Sequence, residues 1–340
     1  MVDSKSISVR VIPLTELSSE DLILLEHISR YSKPISAFQS KHWIESVRSF
    51  ASNRSGCLLI YTDGKPSGYL LFDMHRNRVG LKYLKSPASP ALTPYGGLVL
   101  TKECESHAEC IIARIGAVLS CKYSYILGNP FMSLSGKTHS KFELKYAETS
   151  MIDLKMSDEE LFMNLHSKTR NMIRKGQKSD IHVADEGRTA IPVFLEMLES
   201  TLKGTGIDIP PTGFLQRLCS SSNSFISVLI ARCKGKPISG VVILHYQGTS
   251  YYWLGASFQE GRKNGSNELI QWKAIQLAKR AGNIRYDMVR IDRDRLPGIA
   301  RFKLRFGGEI CKFPVLTWRS DLWQFLRSAR RICTFWNASI

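Results

Sequence analysis

No stretch of this chain stays apolar for the length of a membrane span, and its opening, MVDSKSISVRVIPL, lacks the long apolar core of a secretory signal. Both absences lead us to expect a cytoplasmic protein that touches a membrane, if at all, from the inner face. Zinc chemistry lacks its parts. The eight cysteines (Cys57, Cys104, Cys110, Cys121, Cys219, Cys233, Cys311 and Cys333) form no CxxC pair and have no histidine at ligand spacing. No metal site is expected, and the thiols read as reduced core residues. GxSxG, HExxH and GxGxxG are all missing, which removes the usual serine-hydrolase, zinc-protease and dinucleotide readings. Ser135 to Thr138, SGKT, ends like a phosphate-binding loop, but Phe131 stands where its first glycine must be. Acid is scarce too: 30 Asp and Glu against 47 Lys and Arg give a formal charge of +17. Residues 1–150 hold 18 basic and 13 acidic side chains and residues 151–340 hold 29 and 17, so +12 of the excess lies in the second part. An anionic partner would be drawn there.

What is present is enough for two cores. The chain has 340 residues, 43% of them hydrophobic, and strand-like and helix-like stretches alternate along it, so an α/β (α+β) protein of two domains is expected. SVRVIPL alternates as a strand, Ser18 and Ser19 precede a helix carrying Leu22, Leu25 and Ile28, and residues 37–50 read as a second helix packed through Trp43, Ile44 and Val47. Cys57–Tyr61 and Gly68–Phe72 flank Asp63-Gly64-Lys65-Pro66, which is hairpin chemistry. A strand over 79–84, a proline-rich irregular loop, a helix over 103–120 and a strand over 123–127 follow. The hairpin then recurs: Leu58-Leu59-Ile60-Tyr61 with Gly64-Lys65-Pro66-Ser67-Gly68 is matched by Val228-Leu229-Ile230-Ala231 with Gly235-Lys236-Pro237-Ile238-Ser239-Gly240. Helices and strands flank both copies in the same order, which points to duplication of one α/β unit. Domains are placed at 1–150 and 151–318, with a helix over 319–340 whose face Leu322, Trp323, Leu326, Ala329 and Ile332 docks on the body.

In the second unit Ser157 and Glu160 form a capping box opening one helix that runs through Leu161, Phe162, Leu165, Met172 and Ile173. Its other face is crowded with Lys168, Arg170, Arg174, Lys175 and Lys178. The stretch from Tyr251 to Gly308 reads as strand, basic glycine loop, helix, short strand and cationic turn. Ser266 is expected to cap its helix, Gly282 to end it left-handed, and Leu269, Ile270, Ile275 and Ala278 to bury one face. Arg262, Lys263 and Gly265 then sit at the helix start, where positive charge and free amides suit a phosphate or carboxylate. A solvated basic loop explains the same residues equally well.

The order L-I-Q-W-K-A-I-x-x-A-K-x-x-G (from Leu269 to Gly282), R-Y-D (285–287) and F-K-x-x-F-G-G (302–308) resembles the second domain of the Fem family, aminoacyl transferases of the GNAT superfamily that build peptidoglycan cross-bridges. The run from Lys168 to Lys175 is similar to that family's basic helix, and Phe38-Gln39-Ser40 with Trp43, and Tyr95-Gly96-Gly97, resemble its first-domain signatures. The resemblance implies two tandem GNAT-like domains, each a mixed sheet flanked by helices, and a terminal helix that returns to the first domain. It implies attack by an acceptor amine on an activated carbonyl, with aminoacyl-tRNA or acyl-CoA as co-substrate, no tightly bound cofactor and no covalent enzyme intermediate. Lys303, beside Phe302, would serve the carbonyl or the donor's phosphate. Arg262, Gly265 and Ser266 would hold a phosphate, Lys41 would reach the cleft from the first domain, and Arg170, Arg174, Tyr95 and Tyr252 would line it. The acceptor implied is an amine of a lipid-linked or nucleotide-linked envelope precursor. No general base is evident, Asp292 and Asp294 being near in sequence only. Met288-Val289-Arg290 replace the two glycines usual after the strand aspartate, and Asn267 breaks the last position of a CoA-gripping loop (Arg262-x-x-Gly265-x-Asn267). Acyl-CoA-dependent N-acyltransfer to a sugar or small metabolite, and a non-catalytic basic module for RNA or membrane, remain the alternatives.

Overall fold

A computed structural model describes residues 6–78, 80–88, 92–132, 141–205, 207–221 and 224–325. The first half runs β1 (Ile7–Pro13), α1 (Ser19–Tyr31), α2 (Lys41–Arg48), β2 (Ser55–Thr62), β3 (Lys65–Arg76), β4 (Lys82–Ser86), β5 (Val99–Leu100), α3 (Ala108–Val118), β6 (Tyr123–Leu127) and β7 (Phe142–Asp153). The second runs α4 (Asp158–Asn164), α5 (Ser167–Lys178), β8 (Ile181–Asp185), α6 (Ile191–Leu202), α7 (Thr212–Ser221), β9 (Ile226–Cys233), β10 (Lys236–Tyr246), β11 (Thr249–Ser257), α8 (Ser266–Arg280), β12 (Arg285–Asp287), α9 (Pro297–Leu304) and β13 (Glu309–Arg319). Several expectations shift. Residues 157–178 break into two helices, because the chain turns extended at Leu165 and the His166 side chain caps α5. The expected cationic turn at Phe302 and Lys303 is helical, α9 opening on Pro297. The helix expected over 103–120 begins as a 3-10 turn, Lys102–His107, before α3.

One mixed sheet carries both halves, in the order β1-β2-β3-β4-β6-β13-β7-β12-β11-β10-β9-β8, with β5 paired to β3. Read inward from its two ends the pattern is the same: three antiparallel pairings, then a parallel one, β4 with β6 and β11 with β12. The duplication read from the hairpins is therefore the architecture, two halves of one strand order back to back. The final strand, β13, crosses back to lie between β6 and β7, pairing with both, and its ladder with β7 runs from Glu309–Met151 to Trp318–Phe142. Strand β7, whose range spans residue 150, in turn pairs with β12.

The cores follow from strand alternation. One cluster packs α8 against Ile152, Leu165, Tyr286 and Phe306. A second lies under α3 in the first half. The third joins the halves: Phe38, Trp43 and Tyr95 pack with Phe214, Tyr251 and Trp253, the Trp43 and Trp253 rings 5.1 Å apart and nearly perpendicular. Aromatic burial on this scale makes the seam a core and not a sliding contact. At the chain's end Trp323 stacks on Tyr123 of β6 at 4.9 Å and Lys141 pairs with Asp321 at 2.8 Å, so the start of the terminal segment docks on the first half. Residues 326–340, with Cys333 and the rest of the expected helix, and the SGKT run lie outside the described residues. Of the thiols expected in cores, Cys110 is exposed. Among the described residues no helix is long and apolar enough to cross a membrane.

Candidate active site

The parallel pairing of β11 with β12 lasts three residues, Thr249–Tyr251 against Arg285–Asp287. Beyond Tyr251, β11 continues to Ser257 paired with β10 alone, so a notch opens between the two strands at their C-terminal ends. Within β11 the register to β10 slips, Val242 facing Leu254 and Ile243 facing Tyr252, so Trp253 is an extra residue. A bulge of this kind twists a strand and re-aims its neighbours. The Tyr252 side chain folds across Gly255 so closely that a Cβ there would lie 1.9 Å from the hydroxyl. The notch thus has on one side a β11 edge that lacks a strand partner beyond Tyr251.

At its mouth α8 begins. Gly265, left-handed at φ +84, is the N-cap, and a Cβ on it would sit 2.2 Å from the Met172 carbonyl oxygen of α5. Ser266 does not cap the helix as expected. Its hydroxyl donates to the Gly261 carbonyl at 2.8 Å, fastening the loop, while its N–H donates to Asn264 Oδ1 at 3.1 Å. Arg262 and Lys263 are exposed on this loop, and Lys175 of α5 donates to the Lys263 carbonyl at 2.9 Å. Glu268, partly buried in the first turn, has its carboxyl raised by that burial, so the helix start is not purely cationic.

Lys303 forms the inner wall. Its side chain is buried, with Nζ donating to the carbonyls of Val289 at 3.1 Å and Arg290 at 3.0 Å and lying 5.7 Å from the centre of the Tyr252 ring. Burial pushes its ammonium down to about 8, opposed by the charge of Asp287 and reinforced by Arg290. An ammonium has three donors, and two are engaged here. Phe302 packs beside it, 6.5 Å from Tyr252 and 5.1 Å from Phe306.

A carboxylate that sequence reasoning passed over closes the arrangement. Asp287, the last residue of β12, is fully buried, and its Oδ1 accepts from Thr149 Oγ1 at 2.5 Å, the Val289 N–H at 2.8 Å and the Tyr95 hydroxyl at 3.1 Å. Burial lifts its carboxyl to about 6 against those three donors and Lys303. Burial, then the charge of Asp287, holds the Tyr95 phenol well above its ordinary value. The acid was legible in the R-Y-D run, but its tie to Tyr95, 192 residues away, was not.

The other expected site residues scatter. Lys41 is not brought here: it pairs with Glu26 of α1 at 3.3 Å, and α2 packs with α7 on the sheet face opposite α8 and α9. Arg170 donates to the carbonyls of Met163 and Leu165, closing the end of α4. Arg174 is exposed and lies over the Phe162 ring at 5.4 Å. The first-half signatures lock one another: Gln39 donates to the Gly97 carbonyl at 3.1 Å and accepts from Asn129 at 2.8 Å. Two crevices open in the first half, one by Lys33 and Phe131 and one by Trp43 and Gly96, and neither is lined by Lys303 or Asp287. Asp292 accepts from the Arg295 N–H and sits 3.7 Å from Arg290, while Asp294 is exposed. No group of three or more His, Cys, Asp or Glu able to hold a metal comes together among the described residues.

A sheet split between parallel strands, a bulge beside it and a glycine-led helix at its mouth are features of the GNAT fold, and residues 164–304 match the family model described as acetyltransferase (GNAT) domain. The chain has the fold of Fem-type proteins. It superposes on FemX with a TM-score of 0.62 at 12% identity, covering 91% of this chain and 98% of that one. The C-terminal domain of a putative lysylphosphatidylglycerol synthetase from Agrobacterium fabrum gives 0.61 at 13%, covering 92% and 96%. L-PGS from Bacillus licheniformis gives 0.56 at 12%, covering 91% and 95%. No curated protein matches the chain by sequence.

Proposed function

We propose that this protein transfers an aminoacyl group from a phosphate-bearing donor, aminoacyl-tRNA, to the amine of a cell-envelope precursor or a related acceptor, met in the cytoplasm or at the inner face of the membrane. The observation that carries the reading is the buried Lys303 ammonium on the wall of the β11/β12 notch, behind the basic start of α8. The donor's phosphates lie against Arg262 and the Gly265 turn, and its carbonyl enters the notch. The acceptor nitrogen attacks that carbonyl carbon. A C–N bond forms, the C–O bond to the donor breaks, and the proton lost by the amine goes to the departing oxygen. Negative charge gathers meanwhile on the carbonyl oxygen, where the remaining N–H of Lys303 and the backbone of the β11 edge meet it. A preorganised donor of this kind is worth about 3 kcal/mol of barrier. Phe302 and Tyr252 keep water from the ammonium, and Arg170 and Arg174 stiffen the basic helix at the mouth. Tyr95 works from behind, through Asp287. The formal charge of +17 suits tRNA, whose binding is largely electrostatic. FemX and the domain of the putative lysylphosphatidylglycerol synthetase share this fold, and the second is named for joining an amino acid to a lipid.

A second reading, acyl-CoA as donor to a sugar or small metabolite, is favoured by the Arg262-x-x-Gly265 turn and by the acetyltransferase description of the matching family. In that case a C–S bond breaks and the thiolate takes the proton. Thermal melting with acetyl-CoA and with aminoacyl-tRNA separates the two, since a ligand that binds the folded state raises the midpoint. Stabilisation by charged tRNA, lost in Arg262→Ala, is the expected result. Stabilisation by acetyl-CoA alone supports the second reading, and RNA binding indifferent to aminoacylation, with no transfer, leaves a non-catalytic basic module.

A further inference from the structure

Val289 is a β-branched residue with φ +46, in the left-handed region where such side chains are rare and where strain gathers at functional sites. It lies two residues past Asp287, at the exit of β12. Its N–H points one way, to Asp287 Oδ1 at 2.8 Å, and its carbonyl the other, to Lys303 Nζ at 3.1 Å. Those two groups occupy opposite faces of the sheet. Tyr286 packs with Trp272 and Phe306, so by alternation Asp287 faces Tyr95 and Tyr251 in the cluster that joins the halves. Lys303 lies over Tyr252, on the side of Phe302 and Phe306. The turn therefore carries a mechanical link through the sheet's end. Asp287 takes its donors from three places: the first-half loop through Tyr95, β7 through Thr149, and the turn itself. All three converge on Oδ1, while Oδ2 is buried without a hydrogen-bond partner among the described residues, so the hold on the turn resides in one atom.

We propose that Asp287 is a positioning residue: gripped by Tyr95 of the first half and by Thr149, it holds Val289 left-handed and so aims the carbonyls that orient Lys303, making the second half's site depend on contact with the first. The proposal rests on reading Lys303 as the group that meets the donor carbonyl. It explains why the chain tolerates valine in a left-handed turn where glycine would adopt that backbone freely, since here the turn is clamped from behind.

The test follows Lys303 itself, in full-length protein carrying 13C-lysine, with its Cε resonance assigned by the loss of that signal in Lys303→Arg. The charged groups facing it are Asp287 across the turn and Arg290 beside it, with the Tyr252 ring on β11. In the wild type one narrow signal should titrate near the value of about 8 to which burial lowers the ammonium. Tyr95→Phe removes one hydroxyl from the other half and should move that signal and its midpoint, and Asp287→Ala should displace and broaden it further. Val289→Gly, which needs no clamp, should restore part of the narrow signal when combined with Asp287→Ala. A role in folding alone would show no such rescue. Should Asp287→Ala fail to fold, Tyr95→Phe decides by itself: an unmoved Lys303 signal overturns the proposal. Lys303→Met is assayed separately for transfer. If that variant keeps full activity while Tyr95→Phe still shifts the resonance, the clamp stands and the reading of Lys303 as a donor-facing group falls.

Discussion

The two halves repeat one strand order yet treat the split between their parallel strands in opposite ways. In the first half β4 pairs with β6 over four residues, Tyr83–Ser86 against Tyr123–Ile126, and the chain then enters the loop through Tyr95 and Gly97. Neutral groups fill the space there: Gln39, Asn129 and the Ser86 hydroxyl, which accepts from the Gly97 N–H at 3.2 Å. The helix behind it, α3, follows an acidic 3-10 turn whose Glu105 pairs with Lys33 at 2.6 Å. In the second half the pairing stops after three residues, the helix starts on a glycine next to exposed Arg262, and the space holds Lys303 on one face and Asp287 on the other. Duplication kept the frame in both copies. On our proposal the second copy carries the chemistry, and the first supplies a wall and a clamp.

The comparison can be broken first at its frame. Because β13 lies between β6 and β7, a chain ending at residue 308 leaves both halves with a gap in the sheet, and we expect it to show no cooperative melting transition. A truncated chain that melts like the full one would show that the halves stand apart. Next comes the charged half against the neutral one. Lys303→Met should lower transfer by about 10²–10³-fold, the cost of a lost oxyanion donor. Lys33→Met, beside the first-half crevice, should leave the rate where it was. Radiolabelled transfer from the donor identified by melting checks both.

The titration of Lys303 gives the comparison a pH axis. Its folded value, about 8, lies below the ordinary 10.5, so between these the unfolded chain binds the extra proton and stability rises with pH. Wild type should therefore gain stability relative to Lys303→Met as pH climbs from about 8 towards 10, read from denaturation midpoints. The rate should fall over the same range, since the neutral amine no longer balances the oxyanion. Smaller still are the glycine effects. Gly265→Ala meets a backbone oxygen as well as a left-handed φ, and should cost more than the ~1 kcal/mol expected of a left-handed alanine in open space. Gly64→Ala and Gly235→Ala, the matched hairpin turns with nothing nearby, should each cost about that 1 kcal/mol, and equally. Unequal losses would mean the two turns are alike in sequence only.

Much of the frame was legible because it rests on local rules. The capping box at Ser157, the end of α8 at Gly282 and the repeated Gly-Lys-Pro hairpins follow from neighbours a few residues apart. The break at Leu165 and His166 escaped notice because the apolar spacing continues straight across it. The site was half legible. Lys303 and Arg262 stand out by charge and by resemblance. Asp287 does not, since an acid at the end of a strand says nothing until Tyr95 and Thr149 close on it from other elements. Lys41 misled for the mirror reason: a cation near an aromatic signature is as readily matched by Glu26, and the sheet face on which it falls cannot be read from spacing.

Hydrogen exchange with and without a saturating donor, first aminoacyl-tRNA and then acetyl-CoA, asks most directly whether one half alone carries the donor site. Protection confined to residues 258–270 and 288–304, with residues 87–110 unchanged, is the expected outcome. Protection of residues 87–110 with none at 258–270 would place the donor in the first half and contradict the assignment of chemistry to the second.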